Sequence, residues 1–127
     1  MDFGAAYFVT AAPTFRLLPP PALPEIALVG RSNVGKSSLI NAVTGKRGLA
    51  RISSTPGRTG AANFFQVDGR FFLVDLPGYG FARVAQKTRG QWAGLLNEYL
   101  GKRESLAGVC QVVDIRVGAT PLDEAMF

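Results

Sequence analysis

Cysteine is almost missing. The 127 residues hold one, Cys110, so no disulfide can close within the chain and no cysteine-rich metal site can be built. It sits in the apolar run Val109–Ile115, where it reads as a small core hydrophobe. The N-terminus lacks a basic leader: Met1-Asp2 opens it, and Pro13 and Pro19-Pro20-Pro21 break its apolar stretch, which argues against a secretory signal and for a cytoplasmic protein. Apolar runs are too interrupted to span a membrane, and neither an internal repeat nor a low-complexity segment is present. A compact basic run is also lacking, although the formal net charge is +5. The Arg and Lys residues are scattered, which leaves an ordinary solvated surface and a polyanion-facing one both open.

What remains is the composition of one compact domain, 47% hydrophobic and 18% charged with a mean hydropathy of +0.16. Residues 1–24 read as a lead-in, with Ala6–Val9 as a possible edge strand and Leu18–Pro24 as a polyproline-like connector. The working domain, 25–127, opens with the apolar run Glu25–Val29, closed by Gly30. A glycine-bounded loop follows, then a helix over Lys36–Val43 that stops at Gly45. Ala61–Val67 and Arg70–Asp75 are β-branched and aromatic runs joined by Asp68-Gly69, which predicts an antiparallel hairpin. From Thr88 to Leu100 the residues Trp92, Leu95, Leu96, Tyr99 and Leu100 mark the buried stripe of a helix expected to end at Gly101. Val109–Ile115 reads as a strand buried on both faces, and Thr120-Pro121-Leu122-Asp123 reads as a helix start. That helix has one turn before Phe127, and nothing follows to pair with the open edge of the strand, so the domain is expected to be C-terminally incomplete.

The chemistry concentrates in three segments. Gly30-Arg31-Ser32-Asn33-Val34-Gly35-Lys36-Ser37 fits G-x-x-x-x-G-K-[ST] between a predicted strand and a predicted helix. Its glycines let successive backbone N–H groups, with those of the helix start through Ser38, face phosphate oxygens. Lys36 then neutralises the β- and γ-phosphates, and Ser37 is placed to ligate Mg²⁺. Asp75-Leu76-Pro77-Gly78 sets a carboxylate at a strand end, suited to the Mg²⁺ shell, with the Gly78 N–H within reach of a γ-phosphate. Thr59, in the loop Gly57-Arg58-Thr59-Gly60-Ala61, could bring a hydroxyl to Mg²⁺ only when γ-phosphate is bound, as a switch does. The expected catalytic residues are Lys36, Thr59 and Gly78, and the expected metal ligands are Ser37, Thr59 and Asp75.

The motifs in this order resemble those of translation-factor-class GTPases, and the wider match is closer. Pro24–Asn41, Thr55-Pro56-Gly57-Arg58-Thr59, Asn63-Phe64-Phe65, Asp75-Leu76-Pro77-Gly78-Tyr79-Gly80-Phe81-Ala82 and Val113-Asp114-Ile115-Arg116 look like the EngB (YihA/YsxC) family of bacterial GTPases. The resemblance implies a P-loop G domain, an α/β/α sandwich whose mostly parallel sheet carries one antiparallel hairpin strand. It also implies a cytoplasmic, GTP-hydrolysing factor that cycles between GTP and GDP and assists assembly of the large ribosomal subunit through rRNA and protein contacts. Normal cell division and septation are expected to need it, and a monomer with no membrane association is expected. The family's guanine-reading [TN]-K-x-D motif lies past Phe127, so base specificity rests on resemblance. Tyr79 stands where Ras-type enzymes have a water-orienting glutamine, which implies slow intrinsic hydrolysis. Asn33 matches the asparagine with which some related GTPases hold K⁺, against the alternative that it stabilises the loop turn. Two other readings compete: a P-loop ATPase, and a non-catalytic remnant or scaffold.

Overall fold

The computed structural model describes residues 1–31, 35–50, 60–78, 86–114 and 120–121. Five strands, β1 (Ala6–Ala12), β2 (Glu25–Gly30), β3 (Ala62–Val67), β4 (Phe71–Asp75) and β5 (Leu106–Val112), form one sheet in the order β1-β3-β4-β2-β5. β1 pairs antiparallel with β3 and β3 with β4, whereas β2 pairs parallel with both β4 and β5. Four strands therefore run one way and β3 alone is reversed, as the Asp68-Gly69 hairpin requires. Asp68 and Gly69 take φ of 52° and 62°, and the Arg70 N–H donates to the Val67 carbonyl at 2.9 Å, so the turn is of the left-handed kind that suits strand twist.

Helix α1 (Lys36–Thr44) covers one face of the sheet and α2 (Gln86–Lys102) the other. Alternation along the strands sorts the core accordingly. Ala27, Val29, Phe64, Phe72 and Val74 pack with Leu95, Leu96 and Tyr99 of α2, while Leu28, Phe65 and Leu73 pack with Ile40 of α1. One-residue offsets decide the face, because side chains alternate along a strand. The result is the three-layer sandwich expected from the motifs. Gly45 ends α1 in the left-handed region, φ 68°, where its N–H reaches the Ala42 carbonyl.

Three expectations are corrected. α2 runs through Gly101 to Lys102 rather than stopping there. Its last turn is drawn on by Arg103, whose side chain docks onto Glu25 in the sheet, and an exposed glycine costs only about 1 kcal/mol against that anchor. β5 occupies Leu106–Val112, not Val109–Ile115, since Leu106 pairs with Glu25 and Gly108 with Ile26. It is also the outermost strand on its side among the described residues, with Val109 51% exposed and Cys110 exposed, so neither is the buried residue its apolar setting predicts. Ile115 and the helix predicted after Pro121 lie outside the described residues, as does the segment 51–59.

A buried carboxylate ties the sheet to α2. Glu25 is fully buried at the start of β2, and it accepts from Tyr99 Oη at 2.5 Å, Ser105 Oγ at 2.6 Å and the Arg103 guanidinium at 2.8–3.2 Å. Burial pushes its carboxyl upward, but the hydrogen bonds from Arg103, Ser105 and Tyr99 outweigh this and hold it below the ordinary carboxylate range. Arg103 also lies over the Phe64 ring, 5.7 Å from its centroid.

Candidate functional site

In an open α/β sheet the ligand crevice lies beyond the carboxyl ends of the strands, where the chain leaves neighbouring strands toward opposite faces. Here that place is between β2 and β4. β2 leads to α1 on one face, and β4 leads to α2 on the other before the chain crosses to β5. Gly30 closes β2 and is buried, with Arg31 half-buried beyond it. Asp75 closes β4, and Leu76, Pro77 and Gly78 continue from it, all buried, with the Leu76 N–H donating to the Leu28 carbonyl at 3.2 Å.

The start of α1 has the properties of an anion seat. Gly35 stands at its N-cap with φ 107°, a conformation that L side chains rarely adopt, and it supplies no side-chain cap. The first intrahelical bond is Leu39 N–H to the Gly35 carbonyl, and no acid lies in the first turn. The leading amides of a helix have no partner within it, and here neither a side-chain cap at Gly35 nor a first-turn acid competes for them. Lys36 and Ser37 open the turn, with Lys36 buried, Ser37 half-buried and Ser38 exposed.

Lys36 and Asp75 face each other across this crevice, Nζ to Oδ1 3.9 Å, each less than 10% exposed. That distance is long for a hydrogen bond, and Asp75 Oδ1 has no hydrogen-bond partner among the described residues. Burial pushes the Asp75 carboxyl up to about 6, partly countered by Lys36, and burial lowers Lys36, partly countered by Asp75. A buried carboxylate with an open oxygen beside a helix N-terminus fits a hard cation bound between protein and phosphate oxygens. In the ligand-free protein the charge on Asp75 opposes folding. Because its folded value lies above the unfolded one, the penalty grows as pH rises from about 4 to 6 and then levels off. The ligand-free protein is therefore expected to be about 1 kcal/mol more stable at pH 5 than at pH 7 through this group. Urea midpoints at the two pH values, compared with Asp75→Asn, check this, since the variant should lose that part of the pH response.

The structure brings Gly30, Arg31, Gly35, Lys36, Ser37, Asp75, Leu76, Pro77 and Gly78 to one end of the sheet. Ser32, Asn33, Val34, Gly57, Arg58, Thr59 and Tyr79 lie outside the described residues. Gly60 and half-buried Ala61 lead into β3, and Gly60 lies against the Trp92 indole of α2. This contact was not foreseen, because Trp92 reads from its helical spacing as ordinary core. No helix among the described residues is long and apolar enough to cross a membrane.

Comparison with known proteins points to one family. The chain is 50% identical over 127 residues to a probable GTP-binding protein EngB of Geobacter metallireducens, and 52% identical over 127 residues to one of Pelotomaculum thermopropionicum. It covers 62% and 64% of those proteins, so it spans about three-fifths of their length. A crystal structure of a probable GTP-binding protein engB superposes with a TM-score of 0.57 at 28% identity, over 71% of this chain and 48% of that one. The profile of the family described as 50S ribosome-binding GTPase matches residues 25–127. With the P-loop set between β2 and α1 and the acid at the end of β4, the chain belongs to the 50S ribosome-binding GTPase family, as its EngB-like motifs implied.

Proposed function

We propose that this chain forms the phosphate-binding part of a Mg²⁺-dependent GTPase that assists large ribosomal subunit assembly and thereby supports cell division and septation. The observation that carries the reading is the Lys36–Asp75 pair at the uncapped start of α1. The ribosome-binding GTPase family and the GTP-binding relatives favour GTP as the nucleotide and the 50S particle as the partner.

The first-turn amides and the Lys36 ammonium hold and orient the β- and γ-phosphates, and charge developing on them during transfer is met by groups already in place. Ser37 and Asp75, joined by Thr59 in the GTP form, would hold Mg²⁺, and the ion would supply positive charge against that of the phosphates. The Gly78 N–H would meet the γ-phosphate. Asn33 would hold K⁺, and the cation would supply part of the positive charge that an arginine finger brings elsewhere. GTP orders the loop around Thr59 and the segment after Gly78, and hydrolysis releases both, so that binding to ribosomal particles follows the nucleotide. The net charge of +5 suits a surface that meets RNA. The protein is read as a cytoplasmic monomer.

The test is turnover of GTP by the full-length protein with ATP as competitor. GTP should be hydrolysed slowly, faster in K⁺ than in Na⁺ buffer, and a large excess of ATP should not inhibit. Inhibition by ATP at parity would favour an ATPase; equal rates in the two salts would remove the K⁺ role from Asn33. Absence of any nucleotide binding would favour a scaffold.

A further inference from the structure

Among the described residues the exposed aromatic rings gather at one corner: Phe3 is 43% exposed, Tyr7 55% and Phe8 49%. Rings clustered in this way mark a surface that another molecule covers. Phe3 and Phe8 share a face of the sheet. The Phe8 ring meets Phe65 edge-on with centroids 5.7 Å apart, and the Phe3 ring meets Phe71 in the same manner at 6.2 Å. Phe65 and Phe71 both pack on the side that α1 covers. Tyr7, paired with Gln66, alternates to the other side.

The free edge of β1 is closed to a further strand. β1 is outermost on its side of the sheet among the described residues, but its register slips between Phe8 and Thr10, and the Lys46 ammonium donates to the Ala6 carbonyl at 2.8 Å. A bulge and an edge lysine are devices that keep other strands away. A partner at this corner therefore meets rings and cations instead of backbone. The cations are Lys46 and the exposed Arg47 and Arg70. The acids at the corner are already engaged: Asp68 accepts from the Asp2 N–H at 3.0 Å with Arg70 Nε 3.5 Å away, and Asp2 accepts from the Gly4 N–H at 2.9 Å.

We propose that this α1-side corner, built on Phe3, Phe8, Lys46 and Arg47, binds single-stranded RNA, with unpaired bases stacked on the two rings and phosphates met by the cations. The inference rests on the ribosomal reading above and names the surface that meets the RNA. Rings accept the flat face of any base, and a basic surround tracks the backbone, which is how unpaired strands are held. A duplex keeps its bases stacked inside and offers this corner only its phosphates and sugars.

Fluorescence anisotropy of a labelled, unstructured RNA of about twelve nucleotides, titrated with the full-length protein, tests the proposal. Phe3→Ala and Phe8→Ala should each raise Kd about fivefold or more, the loss of one stacked base. Phe8→Tyr, which keeps a ring, should bind nearly as wild type does. Arg47→Gln should weaken binding and flatten its dependence on salt. Tyr7→Ala removes an equally exposed ring from the other face and should change Kd by less than about twofold, and a duplex of the same length should bind at least about tenfold more weakly. Melting curves and GDP affinity should match wild type in every variant. A protein that neither binds nor hydrolyses GTP would overturn the functional reading and leave the RNA measurement standing. The proposal would be overturned by a wild type that does not bind the RNA, by binding indifferent to both phenylalanine variants, by equal affinity for the duplex, or by equal losses at Tyr7 and Phe8. Binding that depends on the rings but goes to ribosomal protein without RNA would overturn it as well.

Discussion

Lys36→Ala is expected to raise the Kd for GDP and for GTP by at least about a hundredfold, close to 3 kcal/mol, while the protein stays folded. Two effects add. The ammonium that meets the phosphates is gone, and a charge-assisted bond to an anion is worth about twice a neutral one. Asp75 then loses its only described counter-charge in a buried setting, so its carboxyl rises beyond the value of about 6 that Lys36 now restrains. At neutral pH it takes up a proton more readily, which relieves the folded state and blunts its capacity to hold a cation. Lys36→Arg should not restore binding, because a planar guanidinium replaces a compact point charge in a pocket that leaves the lysine 9% exposed. Calorimetric titration of each variant, with a melting curve as the folding control, checks the prediction.

The second large effect falls at the opposite end of the sheet. Glu25→Ala should cost about 3–5 kcal/mol of stability, since it leaves the buried Arg103 side chain and the buried Tyr99 hydroxyl without their acceptor. For a domain of this size that corresponds to a melting midpoint lower by roughly 10–20 °C. Its pH signature has a definite sign. The folded-state value of Glu25 lies below its unfolded one, so its contribution is complete above about 4.3 and is lost as pH falls through the lower folded value. Wild-type stability should therefore drop in acid more steeply than that of Glu25→Gln. Arg103→Met, which fills the space without a charge, should be worse than wild type at neutral pH because Glu25 would stay buried with fewer donors. Differential scanning calorimetry between pH 3 and pH 7 measures all three.

The two ends of β2 show what a sequence discloses and what it conceals. Gly30–Ser37 was legible because its chemistry is local: the spacing that closes a loop on phosphate is fixed by consecutive residues, and a strand and a helix flank it as the motif demands. The Asp68-Gly69 turn was legible for the same reason, as only left-handed backbone serves there. The stripe from Trp92 to Tyr99 was legible through its period. Glu25 was not, because its partners stand 74, 78 and 80 residues away, and a lone acid opening an apolar run looks like a solvated strand end. The same distant tie misled the reading of α2, whose glycine at 101 is overruled by the docking of Arg103. Cys110 and Val109 were misplaced because the apolar content of a strand does not say how many neighbours the strand has. Gly60 against Trp92 was hidden in turn, since a glycine in a loop of small residues gives no sign of the ring it must clear.

The leading amides of α1 are expected to enclose nucleotide phosphates. Hydrogen exchange of the amides of Lys36, Ser37 and Ser38 in the full-length protein, with and without saturating GDP and Mg²⁺, tests it most directly. Binding should protect these three amides strongly. Bound GDP with their exchange unchanged would contradict it.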